Sequence, residues 1–224
     1  MKPFVCFMGL DGSGKSTGLE YARKVLAERG VKVRVVRAAY VVKVMSFFTK
    51  IGKKLLMKGN SDPFSGDYKT YLENMRKRAN SGGIYYKIFS ALTTLEFKMQ
   101  IFFNITLRRF FGQTLLVDRY IYDNAVTYAA NMGLGEEYMR ETIEKKWKRA
   151  PKPAMIIYIK TPVDVCLSRK DDIPDPLYLE IRKPLYEKIA EMYDAKIISG
   201  DDGLERMQNE IMEAIDSVLG CEKK

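Results

Sequence analysis

Residues 9–17 read GLDGSGKST and directly follow FVCFM, the apolar run at residues 4–8. The order of glycine, four residues, glycine, lysine and serine matches the phosphate-binding loop pattern G-x-x-x-x-G-K-[ST]. Such a loop points backbone N–H groups at an anion, and its glycines leave room for that approach. The pattern requires a strand before the loop and a helix after it, and both are predicted here, the helix from the apolar stripe Leu19, Ala22, Val25 and Leu26. We therefore predict a site for a nucleoside triphosphate.

The side chains of this loop predict ATP and Mg²⁺ as cofactors. In loops of this kind the lysine reaches the outer phosphates and the following hydroxyl holds the magnesium ion. We expect Lys15 and Ser16 to fill these roles, with Lys15 on an exposed loop. The predicted ATP-binding residues are Gly9, Leu10, Asp11, Gly12, Ser13, Gly14, Lys15, Ser16 and Thr17.

The composition bounds the class of protein. The chain has 224 residues, of which 46% are hydrophobic, enough for one large α/β domain. It contains no histidine, which excludes histidine-based acid–base catalysis and histidine metal ligands. Three scattered cysteines predict neither a disulfide framework nor a metal site, and the first residues do not resemble a signal peptide, so we expect a cytoplasmic protein. The net charge of +10 favours anionic partners.

Five short apolar runs alternate with helical patterns. This alternation predicts a doubly wound five-stranded parallel sheet flanked by helices, in a single domain over residues 1–220. The predicted strands occupy residues 4–9, 32–37, 114–119, 154–160 and 195–199.

Residues 40–112 form an insertion-like region between the second and third predicted strands. Its basic stretch, residues 40–60, has five lysines and no carboxylate, which favours a solvated face over a membrane-surface helix. Residues 84–111 predict a long helix rich in aromatic residues, but charged and amide side chains interrupt it too often for a bilayer span. Because its apolar residues, including Phe89, Leu92, Phe102 and Phe103, exceed what one helix face packs, we expect a homodimer.

Charged residues follow the second and third predicted strands, where the loops of a parallel sheet form the binding crevice. Arg37 ends the second strand, and Asp118 and Arg119 end the third. Paired arginines suit an acceptor that carries a phosphate, which needs no base to activate it. A hydroxyl acceptor would instead benefit from a carboxylate base, and Asp11 or Asp118 could supply one. Both kinds of acceptor stay open at this point.

From end to end the chain resembles the thymidylate kinase family of nucleoside monophosphate kinases. The resemblance is carried by the GLDGSGKST loop, an arginine after the second strand and the DRY segment at residues 118–120. It continues through IIYIKTPVDVCLSRK, YLEIRKPLYEKIA and the terminal segment AKIISGDDGLERMQNEI. The resemblance implies a small-molecule nucleotide acceptor, with dTMP first, and dimers built through helices.

The resemblance also implies roles for single residues. Arg37 and Arg119 would hold the acceptor phosphate, and Asp11 would serve the sugar side or the magnesium shell. Asp118 would lie near the metal, directly or through water, and Arg169 would close over the transferring group. The lid is predicted at residues 168–176, with Lys170 and Arg182 as alternatives to Arg169, and Tyr128 is the candidate aromatic of the base pocket.

The chain departs from the family pattern where the base should be read. Ala38 and Ala39 follow Arg37 in place of Glu-Pro, and ALTTLEFKMQ, residues 91–100, lacks the usual arginine. Two alternatives therefore stand beside a monophosphate kinase. One is a kinase of a nucleoside, sugar or lipid-linked hydroxyl. The other is a nucleotide-binding ATPase or switch, disfavoured because the sequence shows no nucleic-acid-binding module.

Overall fold

The structure is a computed structural model that describes residues 1–39, 67–80 and 84–220. Within these ranges, the side chains of residues 78, 79, 85, 86 and 89 are not described. The predictions for the basic stretch 40–60 and for the side chain of Phe89 lie outside the described residues.

The sheet has five parallel strands, as the apolar runs predict. They are β1 (Phe4–Met8), β2 (Val33–Arg37), β3 (Thr114–Asp118), β4 (Met155–Lys160) and β5 (Lys196–Ser199). Their order in space is β2-β3-β1-β4-β5, so that β1 lies at the centre with all five of its residues buried. Asp118 is in register with both Phe7 and Arg37, which brings the carboxyl ends of β1, β2 and β3 to one edge. The phosphate-binding loop leaves from this edge.

Helices cover both faces of the sheet. In chain order they are α1 (Lys15–Glu28), α2 (Tyr68–Asn80), α3 (Ile84–Ile101), α4 (Ile121–Met132), α5 (Glu136–Glu141), α6 (Val163–Ser168), α7 (Pro176–Glu180), α8 (Lys183–Met192) and α9 (Leu204–Leu219). A π-helical turn, Phe102–Thr106, continues α3 into a last turn at Leu107–Phe110. A second π-helical turn, Thr142–Lys146, extends α5.

The alternating side chains of β1 divide the core into two layers. Val5 and Phe7 pack with residues of α1 and α9, and Phe4, Cys6 and Met8 pack with α3, α4 and α8. Cys6 is fully buried in the second of these layers. A two-layered core around a parallel sheet is the physical basis of the doubly wound fold, because each strand face must be covered by helices.

Helix α3 and the π-helical turn that continues it have one buried side and one exposed apolar side. Phe97, Ile101 and Ile105 are buried in the core. On the other side, large apolar residues are between 42% and 64% exposed, namely Ile84, Ile88, Leu92, Leu95, Met99, Phe102 and Phe103. Within the described ranges, no helix combines the length and apolar character needed to cross a bilayer.

Candidate active site

The phosphate-binding loop turns tightly between β1 and α1. Gly12 and Gly14 have φ angles of 84° and 96°, in the left-handed region that favours glycine. A Cβ atom on Gly12 would lie 2.4 Å from the carbonyl oxygen of Cys166, so a larger residue would displace the backbone. Thr161 Oγ1 donates a hydrogen bond of 3.0 Å to the carbonyl of Ser13 and ties the loop to the end of β4. The loop is therefore held with its backbone wrapped around the start of α1.

Lys15 is only 6% exposed, so the prediction that it lies on an exposed loop is wrong for its side chain. Its Nζ donates to the carbonyl of Leu10 and, at 3.2 Å, to Ser13 Oγ. The ammonium folds back onto its own loop because an unpaired buried charge would be costly, and the loop offers these two hydrogen-bond acceptors. Burial, and then the positive charge of Arg119, lowers the pKa of Lys15 to about 8.

A cavity of about 460 Å³ opens over the loop and brings the predicted catalytic residues together with six of the nine predicted ATP-binding residues. The other three, Gly9, Leu10 and Ser13, are buried and do not line it. It is lined by Asp11, Gly12, Gly14, Lys15, Ser16, Thr17, Arg37, Asp118, Arg119, Arg169 and Lys170. A second cavity of about 410 Å³ shares Asp11, Arg37, Arg119 and Lys170 with it. We call the first the loop cavity and the second, after the acceptor-binding residues predicted from the sequence that line it, the acceptor cavity. Because they share four charged residues, ligands in the two cavities would meet at these side chains.

The acceptor cavity is also lined by residues to which the sequence motifs assigned no role. Beyond the shared four they are Ala39, Asp123, Asn124, Thr127, Asp172, Ile173, Pro174 and Tyr178. Ile173 and Pro174 come from the predicted lid, so this segment borders the acceptor cavity. Only the position of Asn124 and Thr127 on α4, one turn apart and just after the DRY segment, could have indicated them from the sequence.

Arg119 lies at the centre of a charged network. Its guanidinium donates to Asp11 Oδ1 and lies 3.4 Å from both Asp123 Oδ1 and the hydroxyl of Tyr186. Burial lowers the pKa of Arg119, but the phenol of Tyr186 and the carboxylates of Asp123, Asp11 and Asp118 outweigh it and raise the pKa above its usual value. Arg119 therefore carries a permanent positive charge.

Asp11 contacts two other elements from within the loop. Its Oδ1 accepts from Arg119, and its Oδ2 accepts a hydrogen bond of 3.1 Å from the hydroxyl of Tyr178 on α7. Burial acts to raise the pKa of Asp11, but Arg119, Lys15, Lys170 and the Tyr178 hydrogen bond lower it overall. An ionised Asp11 engaged in this way is a weak base.

Asp118 and Ser16 fit a magnesium ion. Both line the loop cavity, and Asp118 Oδ1 is buried with no hydrogen-bond partner among the residues that the structure describes. Its other oxygen lies 3.9 Å from Nε of Arg37. Mg²⁺ is usually held by one or two protein oxygens together with phosphates and water, so a cage of acidic residues is not required. The described ranges contain no group of three or more acidic, cysteine or histidine residues placed to hold a metal ion.

The basic residues of the predicted lid lie between the cavities. Arg169 follows α6 and donates a 2.9 Å hydrogen bond to the carbonyl of Gly200, and Lys170 pairs with Asp172 at 3.0 Å. Arg169 also lines a third cavity of about 270 Å³, together with Gly14, Thr17, Gly200, Asp201, Gly203, Leu204 and Met207. This third cavity adjoins the loop on the side of β5 and α9.

Tyr128 and Arg182 lie apart from the loop cavity. Tyr128 stacks on Tyr138 with 5.3 Å between ring centroids and lines a separate cavity of about 230 Å³. Asn124 lines both this cavity and the acceptor cavity. Arg182 is 4% exposed and donates to the hydroxyl of Tyr68 at 2.9 Å, which ties α2 to the start of α8.

A five-stranded parallel sheet with a phosphate-binding loop after its central strand is the fold of P-loop nucleotide kinases. A protein of Archaeoglobus fulgidus named "Probable thymidylate kinase" is 25% identical over 222 residues, which cover 96% of this chain and 95% of that protein. A protein of Aeropyrum pernix, provisionally named a thymidylate kinase, is 27% identical over 124 residues, or 48% of this chain and 57% of that protein. No family model matches the chain.

These two relatives confirm the resemblance drawn from the motifs. Together with the fold they support a nucleotide kinase.

Proposed function

We propose that this protein transfers the γ-phosphoryl group of ATP to a nucleoside monophosphate, with dTMP as the first acceptor to test. The observation that carries the proposal is the meeting of the loop cavity and the acceptor cavity at Arg37 and Arg119. Two anions brought together there need cations between them, and the shared side chains include three.

The donor would occupy the loop cavity. The backbone of the loop and Lys15 would hold the phosphates of ATP, and the third cavity beside Gly14 would take the nucleoside part. Ser16 and Asp118 would hold Mg²⁺, which when bound neutralises charge on the donor phosphates. In that complex Lys15 exchanges its contact with Leu10 for a phosphate oxygen.

The acceptor phosphate would lie between Arg37 and Arg119. Arg37 is 68% exposed and free to turn toward a ligand, whereas Arg119 is 13% exposed and fixed. An ionised oxygen of the acceptor attacks the γ-phosphorus of ATP, a new P–O bond forms, the bond to the β-phosphate oxygen breaks, and ADP leaves. Positioning and charge cancellation supply the catalysis, with Arg169 and Lys170 closing over the transferring group to exclude water.

The acceptor base would extend past Asn124 toward the cavity of Tyr128. Residues from α3 and α4 with hydroxyl and amide groups line that cavity, including Thr93, Thr94 and Asn131. The names of the two relatives support dTMP as the first candidate. We propose that the whole reaction is housed in one domain over residues 1–220, with residues 168–176 as its lid.

A kinase of a hydroxyl acceptor is the second candidate, and the side chain of Asp118 favours it. Asp118 Oδ1 has no hydrogen-bond partner within the described ranges, so it could accept a proton from an alcohol. For a hydroxyl acceptor Asp118 would act as a general base, whereas in the monophosphate kinase it would hold Mg²⁺.

A panel of acceptors separates these candidates. The protein would be incubated with ATP, Mg²⁺ and, in turn, the nucleoside monophosphates, the corresponding nucleosides and simple sugars, and ADP and phosphorylated product would be quantified. We expect a nucleoside diphosphate to form from at least one monophosphate, dTMP first. Phosphorylation of nucleosides or sugars alone would contradict the proposal, and ATP hydrolysis that no acceptor stimulates would indicate an ATPase.

We also propose that two copies of the chain pair through α3. Ile88, Leu92, Leu95, Met99 and Phe102 recur at alternating spacings of four and three residues on its exposed side. This spacing keeps one apolar seam facing a partner helix, and a second copy offers the same seam. A patch this continuous on a described surface is typical of an interface.

The dimer proposal predicts the effect of a charge in the seam. Leu95→Glu is expected to convert a dimer into a monomer in light scattering, because a desolvated carboxylate would face apolar side chains. Leu204→Glu is the matched control, since Leu204 is 56% exposed against 55% for Leu95 but lies on α9. A wild-type protein that is monomeric at working concentrations would contradict the proposal.

A further inference from the structure

The backbone of Arg119 has an unusual conformation at the end of β3. Its φ angle is 62°, in the left-handed region that side chains other than glycine rarely adopt. Its N–H donates a 3.0 Å hydrogen bond to the carbonyl of Phe7, so the residue is fixed to the central strand. Such a conformation persists only where the surroundings hold it, and it is common at functional sites.

Asp123 provides a buried carboxylate beside Arg119. The residue is 3% exposed, and its Oδ2 accepts a 3.1 Å hydrogen bond from the backbone N–H of Tyr120. Its Oδ1 accepts a 2.7 Å hydrogen bond from the hydroxyl of Tyr186 and lies 3.4 Å from the guanidinium of Arg119. Both oxygens are therefore engaged within the protein, which leaves Asp123 unsuited to act as a base.

Tyr186 completes the arrangement from α8. It is 1% exposed, and its ring stacks on that of Tyr158 with 6.1 Å between the centroids. This packing fixes the phenol, whose oxygen lies 2.7 Å from Asp123 and 3.4 Å from Arg119. Arg119, Asp123 and Tyr186 form a closed triangle of contacts that joins β3, α4 and α8.

The two carboxylates that contact Arg119 differ in what a ligand can do to them. The side chain of Asp11 is 24% exposed and belongs to the loop, whereas that of Asp123 is 4% exposed. Asp123 also lines the acceptor cavity, but its side chain is almost fully buried and both of its oxygens already accept hydrogen bonds, so we expect an entering anion to take the place of the more exposed Asp11 on the guanidinium. The contact with Asp123 and Tyr186 would therefore persist in the complex.

We infer that Asp123 and Tyr186 are positioning residues that aim the guanidinium of Arg119 at the acceptor phosphate. The inference rests on the proposed function, because it assigns these residues to the acceptor of that same reaction. It predicts that their loss weakens the use of the acceptor more than that of ATP, because within the described residues no hydrogen bond joins Asp123 or Tyr186 to Lys15 or to the loop backbone.

The test is Tyr186→Phe, which removes one hydroxyl and retains the stacked ring. The assay contains ATP, Mg²⁺ and dTMP, or the monophosphate that the panel identifies. The acceptor KM is expected to rise about tenfold, which is the lower end of the effect of losing a hydrogen bond to a charged group. The KM for ATP should change by less than about twofold, since binding of the donor is untouched. Tyr158→Phe is the matched control, because it removes the hydroxyl of the neighbouring buried tyrosine and should leave both constants unchanged.

A double-mutant cycle distinguishes positioning from a general structural role. In an Arg119→Ala background, Tyr186→Phe should not change the acceptor KM further, because the guanidinium that it positions is gone. An equal rise in both backgrounds would overturn the inference, as would a Tyr186→Phe enzyme that behaves like Tyr158→Phe. Should Tyr186→Phe fail to fold, Asp123→Asn enters the same cycle, with a larger expected rise because it removes the charge that faces Arg119.

The two proposals fail in different ways. A wild-type protein that phosphorylates no monophosphate would overturn the proposed function, and the positioning inference with it. A wild-type protein that phosphorylates dTMP, with no coupling between Tyr186 and Arg119, would overturn only the positioning inference.

Discussion

Arg119→Ala is expected to lower the rate of phosphoryl transfer by about a hundred- to a thousandfold, the usual result of removing one fixed donor from a charged transition state. Arg119 lines both the loop cavity and the acceptor cavity, so its loss removes one of the three cationic side chains that the two cavities share. The acceptor KM should also rise, whereas the KM for ATP should change much less because Lys15 and the loop are intact. Steady-state kinetics with ATP and the acceptor varied separately would measure both effects.

Two further variants make this result interpretable. Arg34→Ala is the matched control, because Arg34 is an exposed arginine on β2, three residues before Arg37. Arg119→Lys keeps the charge near Asp123 and Asp11 but loses the planar fork that binds a phosphate by two hydrogen bonds. It should therefore fold as wild type does and still show a raised acceptor KM.

A hydroxyl acceptor would give a different pattern. Arg119 would then hold no ground-state anion, so Arg119→Ala would lower kcat and leave the acceptor KM unchanged. Asp118→Asn or Asp11→Asn would show the larger defect through loss of a base. An unchanged acceptor KM in Arg119→Ala would thus overturn the monophosphate assignment even with the phosphate loop correct.

Lys15→Ala is expected to abolish turnover with every acceptor, a loss of at least about a hundred- to a thousandfold. Within the described residues, the hydrogen bonds of the ammonium go to Leu10 and Ser13 of its own loop, so its removal should cost charge stabilisation rather than packing. Lys24→Ala, at an exposed position of α1, is the control and should retain full activity. Near-normal activity of Lys15→Ala would overturn the proposed role of the loop.

The pKa of Lys15 adds a readout that does not depend on activity. Burial, and then Arg119, lowers this pKa from 10.5 to about 8 in the folded protein. Between these values the unfolded chain binds one more proton at Lys15 than the folded protein does, so this residue makes the free energy of unfolding rise with pH. Without nucleotide, the free energy of unfolding of the wild type relative to Lys15→Ala should rise from about pH 8 to pH 10.5. A pH-independent difference would contradict the buried position of Lys15.

The sequence determined the elements whose signals are local. Each predicted strand was observed to within one residue at either end, because buried parallel strands are continuous apolar runs that stand out from their surroundings. The loop could be predicted equally well, since glycine adopts the left-handed angles at residues 12 and 14 far more readily than other residues do. Arg37, Asp118 and Arg119 were found because the carboxyl ends of parallel strands share one edge.

The tertiary structure alone decided how these side chains are paired. Tyr186 is 67 residues from Arg119 and 63 from Asp123 along the chain, and its spacing in α8 gives no sign of a contact with either. The burial of Lys15 depended on hydrogen-bond acceptors within its own loop. The position of Tyr128 depended on stacking against Tyr138. Hydrogen bonds and burial at such separations are set by the packing of helices on the sheet, whereas strands and loops are set by neighbours within a few residues. For this reason the phosphate loop and the strand ends could be located from the sequence, whereas only the fold showed which side chains hold the charged groups at these places in position.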